Sequence, residues 1–371
     1  MLQHNNDFSI NMLSLIGQNE QKSNICFSPL SASMALGILM NGADNETFNQ
    51  IQKALGFDDA TQDAINQYYH KLIEALPALD SQTTVNLANA LWLHESYEFF
   101  ELYKKTTREV FEATIDNVYS FTDQATLDMI NKWAAEHTNN LIKEVITPDM
   151  VTPQTVMIFA NALYFKGMWD KHFDKRLTHK ANFYTADQRT VSVDMMSMSE
   201  SLLYASADDA QMLELDYKEG KYCMDILLPN KDIPMSDFLA ELTADKWQNY
   251  ISALKEMSEL QVYMPKFHFS YKRNLNNDLQ QIGIINAFDK DNADFSKLSP
   301  LPTYLSFLYQ YCYVAVDEES TEAAAVTIGG MEANSIPDNL FRADHPFIFV
   351  IREKQYGTIL FTGIVGDPTE E

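Results

Sequence analysis

The amino-acid sequence predicts a mixed α+β fold in a single domain over residues 1–371. Three observations support this prediction. Apolar residues make up 46% of the chain, helical and strand patterns are interspersed along it, and no repeat, low-complexity tract or linker divides it. The length alone would suggest two or three domains, but length is only a soft prior. We therefore expect one large hydrophobic core.

The N-terminal half is predicted to be mainly helical. Ser28 followed by Pro29 is typical of an N-cap and a first helical position, and Asn41-Gly42 is typical of a helix end. The predicted helices cover residues 8–16, 29–42, 47–55, 61–76, 99–111 and 126–137, and the predicted strands cover 25–27, 85–93 and 156–165. These strands are rich in apolar residues, so we expect them to be buried.

The C-terminal half is predicted to contain more strands than helices. The predicted strands cover residues 191–193, 202–204, 212–215, 223–228, 260–268 and 314–316, and the predicted helices cover 234–254 and 275–282. Residues 347–351 and 358–364 indicate a C-terminal hairpin that turns at Gln355-Tyr356-Gly357. The two halves therefore combine into one α+β domain.

The connection from Glu318 to Phe341 matches no regular element. A long irregular connection inside a compact domain is most often functional or disordered. Its alternate residues are uncharged, namely Thr321, Ala323, Ala325, Thr327, Gly329 and Met331. Because successive side chains of a strand point to opposite faces, this segment could become a strand inside a sheet with one face buried. An alanine-rich flexible linker is the alternative.

The charge and composition exclude several classes of partner. The formal net charge is −25, which favours solubility and repels nucleic acids and anionic membranes. The helix predicted over residues 61–76 carries one lysine, Lys71, so no heparin site is expected. No apolar run is long enough for a membrane span, and residues 1–6 lack the features of a signal peptide.

The cysteines and histidines indicate no metal site and no catalytic site. Cys26, Cys223 and Cys312 lie in apolar strand-like runs, and their odd number forbids complete pairing. We therefore expect buried thiols rather than disulfide partners. The eight histidines are scattered without a metal-binding spacing, and no nucleotide-binding or hydrolase motif is found. We expect neither a cofactor nor enzymatic activity.

Six stretches, in order along the chain, resemble the serpin family of serine protease inhibitors. They include NALYFKGMW at residues 161–169 and MPKFHF at residues 264–269. The other four stretches cover residues 24–47, 283–298, 318–327 and 341–351. The resemblance implies the serpin fold, with a large mixed β-sheet, two smaller sheets, surrounding helices and an exposed reactive loop at about residues 318–341. It points to an inhibitory, prokaryotic-type member.

The resemblance also implies a mechanism, irreversible suicide-substrate inhibition. A target serine protease, or a cysteine protease, attacks the reactive loop and forms an acyl-enzyme. The cleaved loop then inserts into the main sheet as a new strand before water releases the protease. We expect a monomer that forms a covalent complex, in an extracellular, periplasmic or cell-surface location. The alternative function is that of a non-inhibitory carrier or chaperone, and the alternative location is the cytoplasm. A third hypothesis, an unrelated hydrolase, is not supported by any motif in the sequence.

Counting from Glu318 places the scissile bond at Asn334-Ser335 in this resemblance. The segment before Phe341 varies in length among relatives, so Met331, Glu332 and Ala333 are rival positions. No lysine or arginine lies between Glu318 and Phe341, which disfavours trypsin-like targets. Elastase-like or chymotrypsin-like targets are favoured, and Glu-specific enzymes remain open.

The resemblance assigns further residues to loop insertion. The hinge, where insertion begins, comprises Glu318, Glu319, Ser320, Thr321, Glu322, Ala323, Ala324 and Ala325. The shutter and breach, where the sheet parts, comprise Ser28, Ser31, Asn161, Trp169, Lys266 and Gln310. Glu318 and Lys266 match a family ion pair near Trp169. Ser320 replaces a usual glycine, which should slow insertion, and Gln310 replaces a usual histidine, which removes a pH-dependent role.

Overall fold

The computed structural model describes residues 2–20, 22–321 and 339–371, with the side chains of residues 2–5 left out. The hinge residues 322–325, the predicted scissile bond Asn334-Ser335 and its rivals at 331–333 therefore lie outside the described residues. The described helices are α1 Leu2–Asn19, α2 Pro29–Gly42, α3 Asn45–Ala54, α4 Gln62–Ala78, α5 Glu101–Phe111, α6 Gln124–His137, α7 Met235–Glu241, α8 Ala244–Ala253 and α9 Asn276–Gln281.

The described strands form two sheets. They are β1 Asn24–Phe27, β2 Thr84–His94, β3 Thr114–Val118, β4 Met157–Met168, β5 His179–Tyr184, β6 Thr190–Ser206, β7 Ala210–Asp216, β8 Tyr222–Pro229, β9 Lys255–Pro265, β10 Phe267–Asn274, β11 Tyr309–Val316, β12 Ser320–Thr321, β13 Leu340–Arg342, β14 Phe347–Glu353 and β15 Ile359–Val365. The six-stranded sheet has the order β10-β11-β12-β4-β2-β3. The nine-stranded sheet has the order β1-β15-β14-β8-β7-β6-β9-β13, with β5 also paired to β6. The predicted α+β class is confirmed.

Strand β6 joins what the resemblance presents as two smaller sheets into the nine-stranded sheet. It is 17 residues long, where the sequence predicts two short strands. Its residues 203–206 pair with β7, while its earlier residues pair with β5 and β9. A register shift between Glu200 and Leu202 accommodates the bend. The helix predicted over 234–254 is also divided, because Thr243 accepts a hydrogen bond from the Lys246 N–H and caps a second helix, α8.

Helix α2 lies in the core between the two sheets. It packs against β4 of the six-stranded sheet and β15 of the nine-stranded sheet, and all its residues are buried. Ser28 caps it as predicted, since its Oγ accepts a hydrogen bond from the Ser31 N–H at 3.2 Å. The helix therefore supports the six-stranded sheet from behind.

A second, smaller hydrophobic cluster lies on the outer side of the six-stranded sheet. Helix α6 contributes Leu127 and Ile130, which pack with Trp92 of β2 and Ile158 of β4. This cluster is separate from the main core. Strands β2, β3 and the first part of β4 therefore form one packed unit with α6.

The expectation of three free thiols is wrong for two of the cysteines. Cys26 of β1 and Cys312 of β11 form a disulfide, with their Cα atoms 5.7 Å apart. They are separated by 286 positions in the chain, so their spacing gave no sign of contact. Cys223 is free and buried, which accounts for the odd number.

Candidate functional site

The described part of the predicted hinge contains a short strand in the middle of the six-stranded sheet. After β11, residues 317–319 turn the chain, and Ser320 and Thr321 form β12 between β11 and β4. Thr321 pairs with Val316 on one side and with Gly167 on the other. Both strand residues are buried, with exposed fractions of 2% and 4%. The first inserting residue of the resemblance, Thr321, is thus already part of the sheet.

Asp317 shapes the turn that directs the chain into β12. Its Oδ1 accepts hydrogen bonds from the backbone N–H groups of Glu319 and Ser320, both at 2.9 Å. The Asp317 carbonyl accepts a hydrogen bond from Trp169 Nε1 at 2.9 Å. Burial raises the pKa of the Asp317 carboxyl, and the two backbone N–H groups act in the opposite direction. This side-chain turn reverses the chain at the edge of β11.

Tyr217 forms a hydrogen bond with the Thr321 side chain. Its hydroxyl forms a 2.7 Å hydrogen bond with Thr321 Oγ1, and its ring stacks on Trp169 with centroids 4.7 Å apart. A Cβ at position 167 would lie 2.5 Å from the Tyr217 ring, so Gly167 makes room for it. Burial raises the pKa of Tyr217, and the neutral hydroxyl is kept. Sequence analysis did not predict Tyr217 or Gly167 at this site.

Glu318 and Lys266 form the ion pair that the resemblance places near Trp169. The Lys266 Nζ lies 2.7 Å from Glu318 Oε2, and Thr178 Oγ1 donates to Glu318 Oε1 at 2.7 Å. Burial alone would raise the pKa of Glu318, but the hydrogen bonds from Lys266 and Thr178 outweigh it and lower that pKa. Glu319 pairs with Lys175 at 2.8 Å nearer the surface. Glu318 and Glu319 are therefore each paired with a lysine.

A cavity of about 510 Å³ lies below the hinge. Strands β4 and β11 have no pairing with each other among the described residues. The cavity opens between them and is bounded by α2 behind and by α6 with residues 142–156 in front. Ser31, Asn161 and Gln310 line it. Strands β4 and β11 are therefore separated by a gap, and a longer β12 would occupy this gap.

The residues predicted to form the shutter are divided between the two sides of the cavity. On one side, the Gln310 carboxamide donates to the Ser28 carbonyl at 2.7 Å and accepts from the Ser28 N–H at 2.9 Å. On the other side, Asn161 Nδ2 donates to Asn89 Oδ1 at 2.7 Å. The buried Asn161 Oδ1 has no hydrogen-bond partner in the described part of the chain. Ser31 contacts Ser28 through the helix cap.

The segment that follows residue 338 returns the chain to the other sheet. Strand β13 runs parallel to β9, its Phe341 is fully buried, and the Arg342 guanidinium lies 4.1 Å from the centroid of the Tyr263 ring. The two ends of segment 322–338 are thus fixed in different sheets. The chain therefore leaves the six-stranded sheet at the two-residue strand β12 and enters the nine-stranded sheet at β13.

Comparison with known proteins identifies the family. The sequence profile described as "Serpin (serine protease inhibitor)" matches residues 3–368. The chain therefore belongs to the serpin family. Human Serpin B8 is 31% identical over 370 residues, covering 98% of this chain and 98% of that protein.

Solved structures agree with the family. The native state of the thermophilic serpin tengpin has a TM-score of 0.87 and 29% identity, covering 99% of this chain and 94% of that one. A structure of thyroxine-binding globulin in complex with thyroxine has a TM-score of 0.89 and 26% identity, covering the whole of both chains. The family is therefore one of protease inhibitors, and one relative of known structure binds thyroxine.

One buried cluster has the composition of a metal site but contains cations already. The ligand atoms of Glu214, Cys223 and Asp225 lie within 4.8 Å of one another. Arg352 Nε lies 2.6 Å from Asp225 and its Nη2 contacts Glu214, while Lys354 lies 2.7 Å from Glu214. This arrangement is a buried ion-pair network rather than an open coordination site.

Among the described helices, none is long and apolar enough to cross a bilayer.

Proposed function

We propose that this serpin is an irreversible suicide-substrate inhibitor of serine proteases. The observation that carries the proposal is β12, a two-residue strand paired on both sides that ends above a cavity between β4 and β11. After cleavage of the reactive loop, the segment that follows Thr321 would extend β12 into this cavity. The protease, still attached as an acyl-enzyme, would be carried along with it. The serpin supplies no catalytic group in this mechanism.

The register of β12 supports the insertion. Continued from Thr321, its pairing would place Ala323 and Ala325 on the inward face and Thr327 opposite both Gln310 and Asn161. The Thr327 hydroxyl could then donate to the unpaired Asn161 Oδ1. Small uncharged side chains at these positions would lose water at little cost, whereas a buried charge would stop the strand.

Backbone pairing would drive the insertion. The facing edges of β4 and β11 carry N–H and C=O groups that an added strand would pair. Each new hydrogen bond contributes about 0.5–1.5 kcal/mol, and burial of apolar side chains adds about 25 cal/mol per Å². Because this energy becomes available only when the loop can enter, the uncleaved protein is metastable under this proposal.

The reactive loop favours elastase-like or chymotrypsin-like targets. No lysine or arginine lies between Glu318 and Phe341, so a trypsin-like specificity pocket would find no cation. We propose Asn334-Ser335 as the scissile bond, with residues 331–333 as the rival positions. A cysteine protease that accepts the same loop would also be trapped. Mass spectrometry of the fragments after protease challenge identifies the bond.

The disulfide supports a proposed location outside the reducing cytosol. Structural disulfides persist mainly in oxidising compartments, and Cys26–Cys312 joins two core strands. We therefore propose an extracellular, periplasmic or cell-surface location for a monomeric inhibitor. Isolation of the protein with this disulfide intact from its native compartment would support that location, whereas two free thiols would contradict it.

The direct test is covalent trapping. The protein is mixed with elastase, with chymotrypsin and with trypsin, and each mixture is separated on a denaturing gel. We expect a stable complex with elastase or chymotrypsin, and no complex with trypsin. Loop cleavage without a stable complex across the panel would refute the inhibitor proposal. That outcome would favour a carrier, the alternative suggested by the similarity to thyroxine-binding globulin.

A further inference from the structure

Two neighbouring inward-facing residues of β11 are fixed to the segment that leads into α2. Cys312 forms the disulfide with Cys26, and Gln310 forms two hydrogen bonds with the backbone of Ser28. The spacing is two residues on both sides, so the same face of β11 is attached at consecutive inward positions. All four residues are buried. Strand β11 is thus fastened to the main core at the level of the cavity.

The opposite side of the cavity is attached differently. Asn161 of β4 forms its hydrogen bond with Asn89 of β2, which is the next strand on the same side. Ile158 of β4 packs with α6 in the smaller hydrophobic cluster. Over the described residues, no disulfide joins β4 to the main core. Leu163 of β4 and Leu91 of β2 also pack in the main core, so this side is held by side-chain packing and hydrogen bonds and the β11 side by a covalent bond as well.

We propose that the Cys26–Cys312 disulfide anchors β11 to β1 and thereby restrains the β11 side of the cavity. A disulfide with a Cα–Cα distance of 5.7 Å leaves β11 little freedom to move away from β1. The restraint would suppress premature widening and lengthen the lifetime of the uninserted protein. This consequence rests on the proposed insertion, whereas the anchoring itself does not.

The test compares three proteins by hydrogen exchange without any protease. The first is the wild type, in which peptide mapping should find the Cys26–Cys312 bond and a free Cys223. The second carries Cys26→Ala with Cys312→Val. The third carries Cys223→Ala, a matched control that removes a buried sulfur outside the bond. We expect exchange over residues 309–316 to become at least about tenfold faster in the double variant only.

The pattern of exchange separates anchoring from a general loss of stability. A merely structural role would accelerate exchange throughout the main core, including β8 and β15. Anchoring predicts acceleration confined to β11 and its neighbour β10, with β2 and α6 unchanged. Equal exchange over residues 309–316 in all three proteins would overturn the inference, as would two free thiols at positions 26 and 312 in the wild type.

A second measurement does not depend on folding of the variant. Dithiothreitol reduces the disulfide to two thiols and is itself oxidised to its cyclic disulfide, and the reduced wild type should show the same faster exchange. Both forms are then incubated at an elevated temperature and challenged with a protease. The reactive loop of the reduced protein should become resistant to cleavage severalfold faster than that of the oxidised protein. If neither protein traps a protease but exchange differs as expected, the proposed function fails and the anchoring stands.

Discussion

Thr321 is the second residue of β12, the short strand that lies between β11 and β4. Its backbone pairs with Val316 and Gly167, and its hydroxyl meets Tyr217. Only a small, uncharged side chain fits this position, since it is 4% exposed and lies beside the stacked rings of Tyr217 and Trp169. The size and charge of the side chain at position 321 therefore determine whether β12 can form.

Under the proposed function, replacing Thr321 with arginine should make the protein a substrate of the protease instead of an inhibitor. The guanidinium would have to be buried without a partner, which costs several kcal/mol. We expect the number of serpin molecules consumed per inhibited protease to rise severalfold, with cleaved serpin in place of complex. Thr321→Ser, which keeps the hydroxyl, is the control. A stoichiometry equal to that of wild type in the arginine variant would contradict the role of β12.

Replacing Tyr217 with phenylalanine should loosen the hinge without disturbing the fold. The ring would still stack on Trp169, but the hydrogen bond to Thr321 would be lost, which costs about 1 kcal/mol. We expect faster hydrogen exchange at Ser320 and Thr321 and a midpoint of thermal unfolding within a few degrees of wild type. Tyr250→Phe removes a hydroxyl bonded to Asp209 instead and serves as control. Unchanged hinge exchange would show that the hydroxyl is dispensable.

Strands β8 and β14 show how a buried charge network acts at the scale of an element. Asp225 of β8 and Arg352 of β14 are linked by Arg352 Nε at 2.6 Å from the carboxylate. Glu214 of β7 and Lys354 extend the network across three adjacent strands. Since each member is partnered, removal of one leaves an uncompensated buried charge, which is strongly destabilising.

The pH dependence of stability should report on Asp225. Burial raises its pKa to about 6 despite the attraction of Arg352. An aspartate whose pKa is higher folded than unfolded binds more protons in the folded state between the two values. Through this group, the free energy of unfolding should therefore increase as the pH falls from above about 6 towards 4.

The measurement is the difference between wild type and Asp225→Asn in urea unfolding at a series of pH values. We expect that difference to vary between about pH 4 and 6 and to be flat above about 7. Asp232→Asn, at an exposed position, is the control and should give a flat difference throughout. A flat profile for Asp225→Asn as well would show that this carboxyl keeps its ordinary pKa in the folded protein.

At the scale of the whole molecule, the described residues form two sheets and two hydrophobic clusters. The main core holds α2, the nine-stranded sheet, β11 and one face of β2 and β4, while the smaller cluster joins α6 to β3 and to the other face of β2 and β4. The cavity lies along the boundary between them. An added strand would join the two parts and complete the sheet.

Loop cleavage should therefore stabilise the whole molecule. If roughly ten new backbone hydrogen bonds form, each worth about 0.5–1.5 kcal/mol, the midpoint of thermal unfolding should rise by at least about 10 °C. Intact and cleaved protein are compared by calorimetry, with Thr321→Arg as the control that should rise less. Equal midpoints for intact and cleaved wild type would favour a carrier without loop insertion.

The local pattern of the sequence determined the fold class, most helices and the cap at Ser28. It also indicated which face of an extended segment after Glu318 could be buried, because the alternation of small uncharged residues is visible in the sequence. These features depend on neighbours within a few positions, so periodicity and capping chemistry are enough to predict them.

Only the tertiary structure decided that Tyr217 receives Thr321, that Cys26 bonds Cys312, and that β6 is one continuous strand. The same holds for the cavity between β4 and β11. Each of these depends on contacts between residues far apart in the chain, and nothing in their local surroundings distinguishes them from ordinary core positions. Long-range packing, rather than local propensity, determines which buried residues meet.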